Sequence, residues 1–327
     1  MDRNMRKSLI IGAGQLGSRH LQGLVKSTEM MEIYVLDPSA ESLRISEERE
    51  KETAHTHKIV YSQVWEILPK SFDLVIIATS ANIREAIISK LLNNHKVTFL
   101  VLEKILFQEL EAYRRVSDLL IENNVITYVN HPRRMFESYK FLKTNIKENK
   151  RNIYTVVGGN WGLGCNALHF LDLFVYLSGN KIQDINISLI DDEIIESSRK
   201  GFIEFTGTLT GHLMNGSFFS VTSFKGDSSA ITLSVFNDEQ RFIIQEGGTP
   251  QIYMLGKTKL FSQENFNFKV QYQSELTTNI ALQLLENNSC TLPTFEEARH
   301  SHELFLKAML EKYNKISGLK ATTLPIT

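Results

Sequence analysis

Cysteine is nearly absent from this chain: Cys165 and Cys290 are its two thiols, far apart and in no metal-ligand spacing, which argues against a disulfide framework and fits a reducing compartment. Excess charge of either sign is missing as well. With 36 Lys and Arg against 37 Asp and Glu and no long basic run, the sequence lacks the electrostatic footprint of a protein that binds nucleic acid or an anionic membrane surface. Long apolar runs are wanting. The stretches 74–78 and 98–102 are strand-length, far short of a bilayer span. Residues 1–7 lead into a short apolar stretch without a signal-peptide core or a small-residue cleavage site, so the cytoplasm is the expected location. These exclusions leave a globular protein with enough apolar side chains, 42 %, for one large or two ordinary domains, and with small molecules as its expected partners.

What is present is concentrated near the start. Residues 8–11 form an apolar strand that runs into Gly12-Ala13-Gly14-Gln15-Leu16-Gly17 and then into a helical pattern, the spacing of a dinucleotide-binding turn. Gly12 permits the tight turn, Gly14 lets backbone approach a pyrophosphate, and Gly17 lets the helix pack on the strand. A second strand, 32–36, ends in Asp37, placed to grip ribose hydroxyls; with no basic residue beside it, it favours NAD over NADP. The plainer reading of Asp37 is a cap on the next helix. Further β-branched runs at 58–61, 73–78, 97–102 and 125–129 alternate with helical patterns such as 83–93 and 109–123. This rhythm predicts a doubly wound parallel sheet, a Rossmann domain over 1–130.

After His131-Pro132 the pattern changes. A helix over 137–148, a strand over 153–158, a glycine-rich loop over 158–164 and a helix over 166–177 precede a region, 182–275, of alternating apolar and polar residues. Runs at 202–209, 216–221, 231–236 and 241–245 predict a large open antiparallel sheet, hence an α+β domain over 131–327. Two last helices, 274–286 and 296–313, close the chain, and the second is a candidate to pack back on the first domain. The sheet's outer face is the expected surface for a homodimer or homotetramer.

In an open α/β sheet ligands sit beyond the carboxyl ends of the strands, which singles out Asp37, Thr79 and Ser80, Glu103 and Lys104, and Asn130 and His131. Lys104 ends an apolar strand. Beside an oxidised nicotinamide its ammonium would be pushed toward a useful pKa, with Glu103 as countercharge. The alternative is a surface Glu-Lys pair. His169 and Asp172 stand three apart on a helical face, where the carboxylate would fix the imidazole's tautomer; a structural histidine is the plainer reading. Arg133 and Arg134 offer forked donors to an acid or phosphate on a substrate, or simply a solvated surface. Trp161 could stack on a sugar ring or fill core, and Asn166 lies in the same stretch. His55-x-His57 and His300-x-His302 lack a third ligand, so no metal site is expected.

Taken in order, Gly12-x-Gly14-x-x-Gly17, Asp37, Thr79, Glu103-Lys104, 130–136 and 158–172 resemble the Gfo/Idh/MocA oxidoreductases, the glucose-fructose oxidoreductase and inositol dehydrogenase group. The resemblance implies that Lys104, in a Glu-Lys-Pro-like motif, is the catalytic or substrate-orienting lysine and that His169, in a His-x-x-Asp stretch, is an acid/base. It also implies a hydride exchange between NAD or NADP and a hydroxyl or carbonyl carbon of a sugar, sugar acid, nucleotide sugar or cyclitol. Ile105 stands in place of the motif's proline, Cys165 in place of an aspartate, Arg84 in place of a histidine and Ser80 in place of a proline. Two other outcomes stay open: elimination or glycoside cleavage with recycled NAD, and a non-catalytic NAD sensor.

Overall fold

A computed structural model describes residues 5–147, 150–226, 229–246, 251–255, 263–269 and 271–327, which fall into two compact units. The first comprises the chain through Phe107, Glu111–Pro132 and Gln271–Glu296; the second comprises Gln108–Leu110, Arg133–Val270 and Glu297–Thr327. In the first unit β1 (Arg6–Ile11), α1 (Gln15–Leu24), β2 (Met31–Leu36), α2 (Ala40–Glu50), β3 (Lys58–Ser62), β4 (Ser71–Ile77), α3 (Ala81–Asn94), β5 (Lys96–Leu102), α4 (Leu110–Glu122) and β6 (Ile126–Val129) follow in order. All six strands run parallel in the order β3-β2-β1-β4-β5-β6. The carboxyl halves of β1, β4 and β5 and the whole of β2 are buried, as a parallel sheet covered on both faces requires. The strand order reverses between β1 and β4. That reversal opens a crevice above their carboxyl ends, which is where the glycine turn lies.

A 3-10 turn at Pro132–Met135 carries the chain from the first unit into the main segment of the second, which continues with α5 (Glu137–Asn145), β7 (Ile153–Gly159), α6 (Leu163–Ser178) and β8 (Ile182–Ile190). A short pair, β9 (Ile195–Glu196) and β10 (Ile203–Glu204), stands apart from the main sheet. β11 (Gly207–Leu213), β12 (Phe218–Phe224), β13 (Ile231–Phe236), β14 (Arg241–Glu246), β15 (Gln251–Leu255) and β16 (Gln263–Asn267) complete that sheet, ordered β16-β15-β14-β13-β7-β12-β11-β8. The large antiparallel sheet expected from the sequence is present, with one parallel pair in it, β7 with β12. Alternation along a strand reports which face is buried and carries no information on a partner's direction. The run expected at 202–209 is split, because Gly207 at φ +100° brings its backbone against Leu189, where a Cβ would sit 2.5 Å from the carbonyl oxygen.

One face of this sheet is covered by α6, which is apolar nearly all round and correspondingly buried. Tyr154 stacks on Phe174 at 5.0 Å, and Phe174 meets Phe219 at 5.7 Å. Val156, Leu209, Val221, Leu233, Val235 and Phe242 complete the core, each such side chain worth about 1.5–3 kcal/mol on burial. On the other face of β7, Ile153 and Val157 are exposed.

α7 (Gln273–Asn287) and α8 (Phe295–Ser317) follow the sheet. Residues 271–296 belong to the first unit although they lie deep in the half that sequence assigns to the second domain. Gly23 explains their seat: a Cβ there would lie 2.5 Å from that of Thr277, and Thr278 Oγ1 donates to the Gly23 carbonyl at 2.8 Å. Pro293 then accepts from the Val129 amide at 2.9 Å, along the edge of β6. Within α8, Phe295 and Glu296 count with the first unit and Glu297 onward with the second. No helix among the described residues is long and apolar enough to cross a membrane.

Candidate functional site

The glycine turn has the shape that an approaching phosphate needs. Gly12, at φ +96°, lies against Ala78, and a Cβ on Gly17 would sit 1.7 Å from the Gly12 carbonyl oxygen, so neither position admits a side chain. Gly14 faces open space, with nothing within 4 Å of where a Cβ would be. Gln15 and the half-buried Leu16 open α1, whose first turn holds no acidic residue, leaving its amides to an anion. Asp37 accepts from the Ala13 amide at 2.7 Å and from the Ser39 amide at 2.8 Å. The cap of α2 is Ser39, which accepts from Ser42, so Asp37 is aimed at the glycine turn rather than reserved for a helix end. Arg49, which sequence reading passed over, ties α2 to the start of α1 through Gln15 and Ser18 at 2.8 and 2.6 Å.

At the next strand ends, Thr79 Oγ1 is buried without a partner among the described residues, and Ser80 is the N-cap residue of α3 without a side-chain bond to it. Arg84 is 1 % exposed and donates to the carbonyls of Thr79, Ile105 and Leu106, so one guanidinium grips the loops after β4 and β5. The peptide between Lys104 and Ile105 is cis. Lys104 is half-buried. Glu103 does not act chiefly as the countercharge of Lys104: its Oε1 accepts from His20 Nε2 at 2.9 Å and Asn130 Nδ2 at 2.5 Å. Burial pushes the Glu103 carboxyl up, but the bond and charge of His20, then Asn130, then Lys104, bring it below the usual carboxylate range. A second orphaned acceptor, Asn130 Oδ1, lies at the end of β6. The glycine cradle, the acid at Asp37 and these orphaned oxygens fit a dinucleotide.

The second unit holds the remaining candidates. Asn166 donates from Nδ2 to the Trp161 carbonyl at 2.7 Å; Trp161 donates from its indole to Thr222 at 2.9 Å and meets Phe170 edge-on at 5.5 Å. His169 is half-buried on α6. Asp172 does not serve it as expected, since both carboxylate oxygens accept from Arg134 at 2.7 and 2.8 Å. A buried carboxylate needs a cation, and the planar fork of arginine meets it in two places. Even so, burial pushes Asp172 above its ordinary range, outweighing the pull of Arg134. Arg133 likewise forks onto Glu246 at 2.6 and 2.9 Å and lies over the Phe170 ring at 4.2 Å. The donors that sequence reading offered to a substrate acid are therefore engaged within the unit.

Glu204, also missed, caps α6 by accepting from the Gly164 and Cys165 amides at 2.7 and 3.1 Å, and burial raises its carboxyl. No local signal could have found Glu204 or Glu246, whose partners lie tens of residues away or more, or the contact of Gln273 with Asn130, 143 residues away. His20 was visible, three residues after Gly17, but its partner was not. Among the described residues no three His, Cys, Asp or Glu side chains are grouped to hold a metal ion.

Among curated proteins, none matches the sequence significantly. Solved structures share the fold at low identity. UDP-N-acetylglucosamine 3-dehydrogenase from Acidithiobacillus ferrooxidans is 15 % identical with a TM-score of 0.71, over 93 % of this chain and 96 % of that one. An oxidoreductase from Agrobacterium radiobacter, solved with NAD+, L-tartaric acid and magnesium, is 13 % identical with a TM-score of 0.73, over 96 % and 99 %. A super-repressor mutant of Gal80p from Saccharomyces cerevisiae is 12 % identical with a TM-score of 0.74, over 95 % and 97 %. The family model of the Gfo/Idh/MocA oxidoreductases, described by its NAD-binding Rossmann fold, matches residues 6–131. Over that span, somewhat more than a third of its length, the chain is similar to this family.

Proposed function

We propose that this protein is an NAD-dependent oxidoreductase acting on a hydroxyl or carbonyl carbon of a sugar-like substrate. The observation that carries the reading is the glycine turn with Asp37 bonded to it, followed one strand end further on by an orphaned Thr79 hydroxyl and then by Lys104. NAD, when bound, supplies or accepts the hydride. Gly12, Gly14 and Gly17 give backbone room for its phosphates, and the amides of α1 face them. Asp37 receives ribose hydroxyls and, as a carboxylate, disfavours a 2′-phosphate. Lys104 Nζ holds or moves the proton of the substrate hydroxyl, and His169 is the candidate for the same task in the second unit. The dehydrogenase likeness given above supports a nucleotide sugar as the first substrate to try.

Calorimetric titration with NAD and NADP tests the cofactor, with NAD binding the tighter. A panel of UDP-sugars, sugar acids and cyclitols then tests turnover. Lys104→Met is expected to keep NAD affinity within about twofold and to lower turnover by 10²-fold or more. Equal turnover in that variant removes the assigned role. A second reading, an NAD-binding sensor, is favoured by one observation: Asp172 is committed to Arg134 rather than to His169. Tight NAD binding with no turnover of any panel member would select it.

A further inference from the structure

The buried imidazole of His20 is unexplained by cofactor binding. It is fully buried, with Nε2 2.9 Å from Glu103 Oε1 and Nδ1 2.8 Å from Thr277 Oγ1. The hydrogen-bond directions around it follow from one fixed point, the carboxylate, which can accept and not donate. Asn130 must therefore turn its amide NH2 to Glu103, and its second N–H reaches Gln273 Oε1 at 3.1 Å. Gln273 Nε2 then donates to Thr277 Oγ1 at 3.1 Å, while that hydroxyl donates to the Gln273 carbonyl at 2.9 Å. What remains on Thr277 is a lone pair facing His20 Nδ1. With Nε2 donating to Glu103 and Nδ1 to Thr277, both ring nitrogens carry protons, which is the imidazolium form. The alternative, with the Thr277 hydroxyl turned onto Nδ1, makes the buried carboxylate face a neutral ring, the costlier arrangement at this depth.

We propose that His20 is a buried imidazolium that cancels the charge of Glu103, and that this neutral pair sets the basicity of Lys104. The proposal deepens the reading of Lys104 as proton carrier. The charge of Lys104 is felt at Glu103, whose carboxyl it helps to lower, so by reciprocity a net negative charge at Glu103 would hold the ammonium in its protonated form. With His20 charged, Glu103 exerts no net hold of this kind on the lysine. The charged and titratable groups on the elements around this pair are Lys104 itself, the buried Arg84 on the Ile105 and Leu106 carbonyls, the buried His131 that follows Asn130, the exposed Arg19 beside His20 and Glu275 in the first turn of α7, whose Gln273 and Thr277 supply the uncharged contacts. His20 is thus a positioning residue that acts through Glu103.

The test reads Lys104 directly and needs no substrate. The pH midpoint of Lys104 acylation by acetic anhydride, followed peptide by peptide by mass spectrometry on the whole protein, is compared in wild type, His20→Gln, Glu103→Gln and the double variant. His20→Gln leaves Glu103 uncompensated and raises the midpoint by roughly one pH unit or more. Glu103→Gln and the double variant stay within about 0.3 unit of wild type, because neither holds a net charge once an unpaired imidazole deprotonates. Loosened packing would instead move every variant the same way. An unchanged midpoint in a folded His20→Gln protein overturns the proposal. Should these variants fail to fold, the 15N spectrum of histidine-labelled wild type decides: two protonated ring nitrogens on His20 support it, and one bare nitrogen overturns it. Turnover enters neither measurement, so loss of the dehydrogenase reading and loss of this one are separate results.

Discussion

The two units treat their buried carboxylates differently. In the first, Glu103 is surrounded by His20, Asn130 and, in sequence, Lys104, and its carboxyl is held below the usual range. In the second, Asp172 and Glu204 are raised by burial, although Arg134 forks onto one and backbone amides cap the other. The first arrangement is a strand end opening on a ligand crevice, with several polar groups converging and orphaned acceptors at Thr79 and Asn130. The second is packing: charges placed inside to tie α6 and β14 to the turn that bears Arg133 and Arg134. A perturbed pKa marks both, and the first has in addition the orphaned oxygens of Thr79 and Asn130 at neighbouring strand ends.

The sharpest way to break this comparison is Arg134→Met. It leaves Asp172 buried without its cation, side chains that are 9 % and 5 % exposed in the native protein, and should cost about 3–5 kcal/mol in urea denaturation. NAD affinity should be unchanged. A drop in NAD affinity with little loss of stability would instead make Arg134 part of a binding site.

A smaller effect concerns pH. His57 Nδ1 accepts from the Met31 amide at 3.0 Å and Nε2 donates to the Ser27 carbonyl at 3.2 Å, so the folded ring is neutral, and burial, aided by His55, lowers its pKa. The unfolded chain takes the proton first, so the stability it lends is whole above the unfolded value near 6.5 and is lost as pH falls below it. Glu103, also depressed, keeps its contribution to lower pH, losing it below the unfolded carboxyl value of about 4.3. Unfolding free energies from urea denaturation at pH 7.5 and 5.5 should differ by up to about 1.4 kcal/mol per pH unit from His57, and His57→Gln should flatten that slope. A slope untouched by the substitution would assign the acid sensitivity elsewhere.

How much of this was legible in the sequence follows the same division. The first unit's strands are continuous apolar runs, and each was visible with an end shifted by a residue or two; Gly12, Gly14, Gly17, Asp37 and Lys104 stand where a strand must stop, so position alone singled them out. Arg84 was noticed as a departure, but its grip on three carbonyls was invisible because they are 5, 21 and 22 residues away. In the second unit alternation gave the strands, yet the parallel pairing of β7 with β12 and the return of residues 271–296 to the first unit depend on contacts between distant segments. The partners of Asp172 and Arg133 were misassigned for the same reason. Helical spacing offered His169 to Asp172, while the fold offered a stronger cation 38 residues earlier.

The most direct test of the central claim is a crystal structure with NAD bound. The account predicts the pyrophosphate against Gly12–Gly17, ribose hydroxyls on Asp37, and Lys104 Nζ within about 4 Å of the substrate position beside the nicotinamide. A nicotinamide whose reactive carbon lies more than about 10 Å from Lys104 Nζ, too far for direct proton exchange, would contradict it.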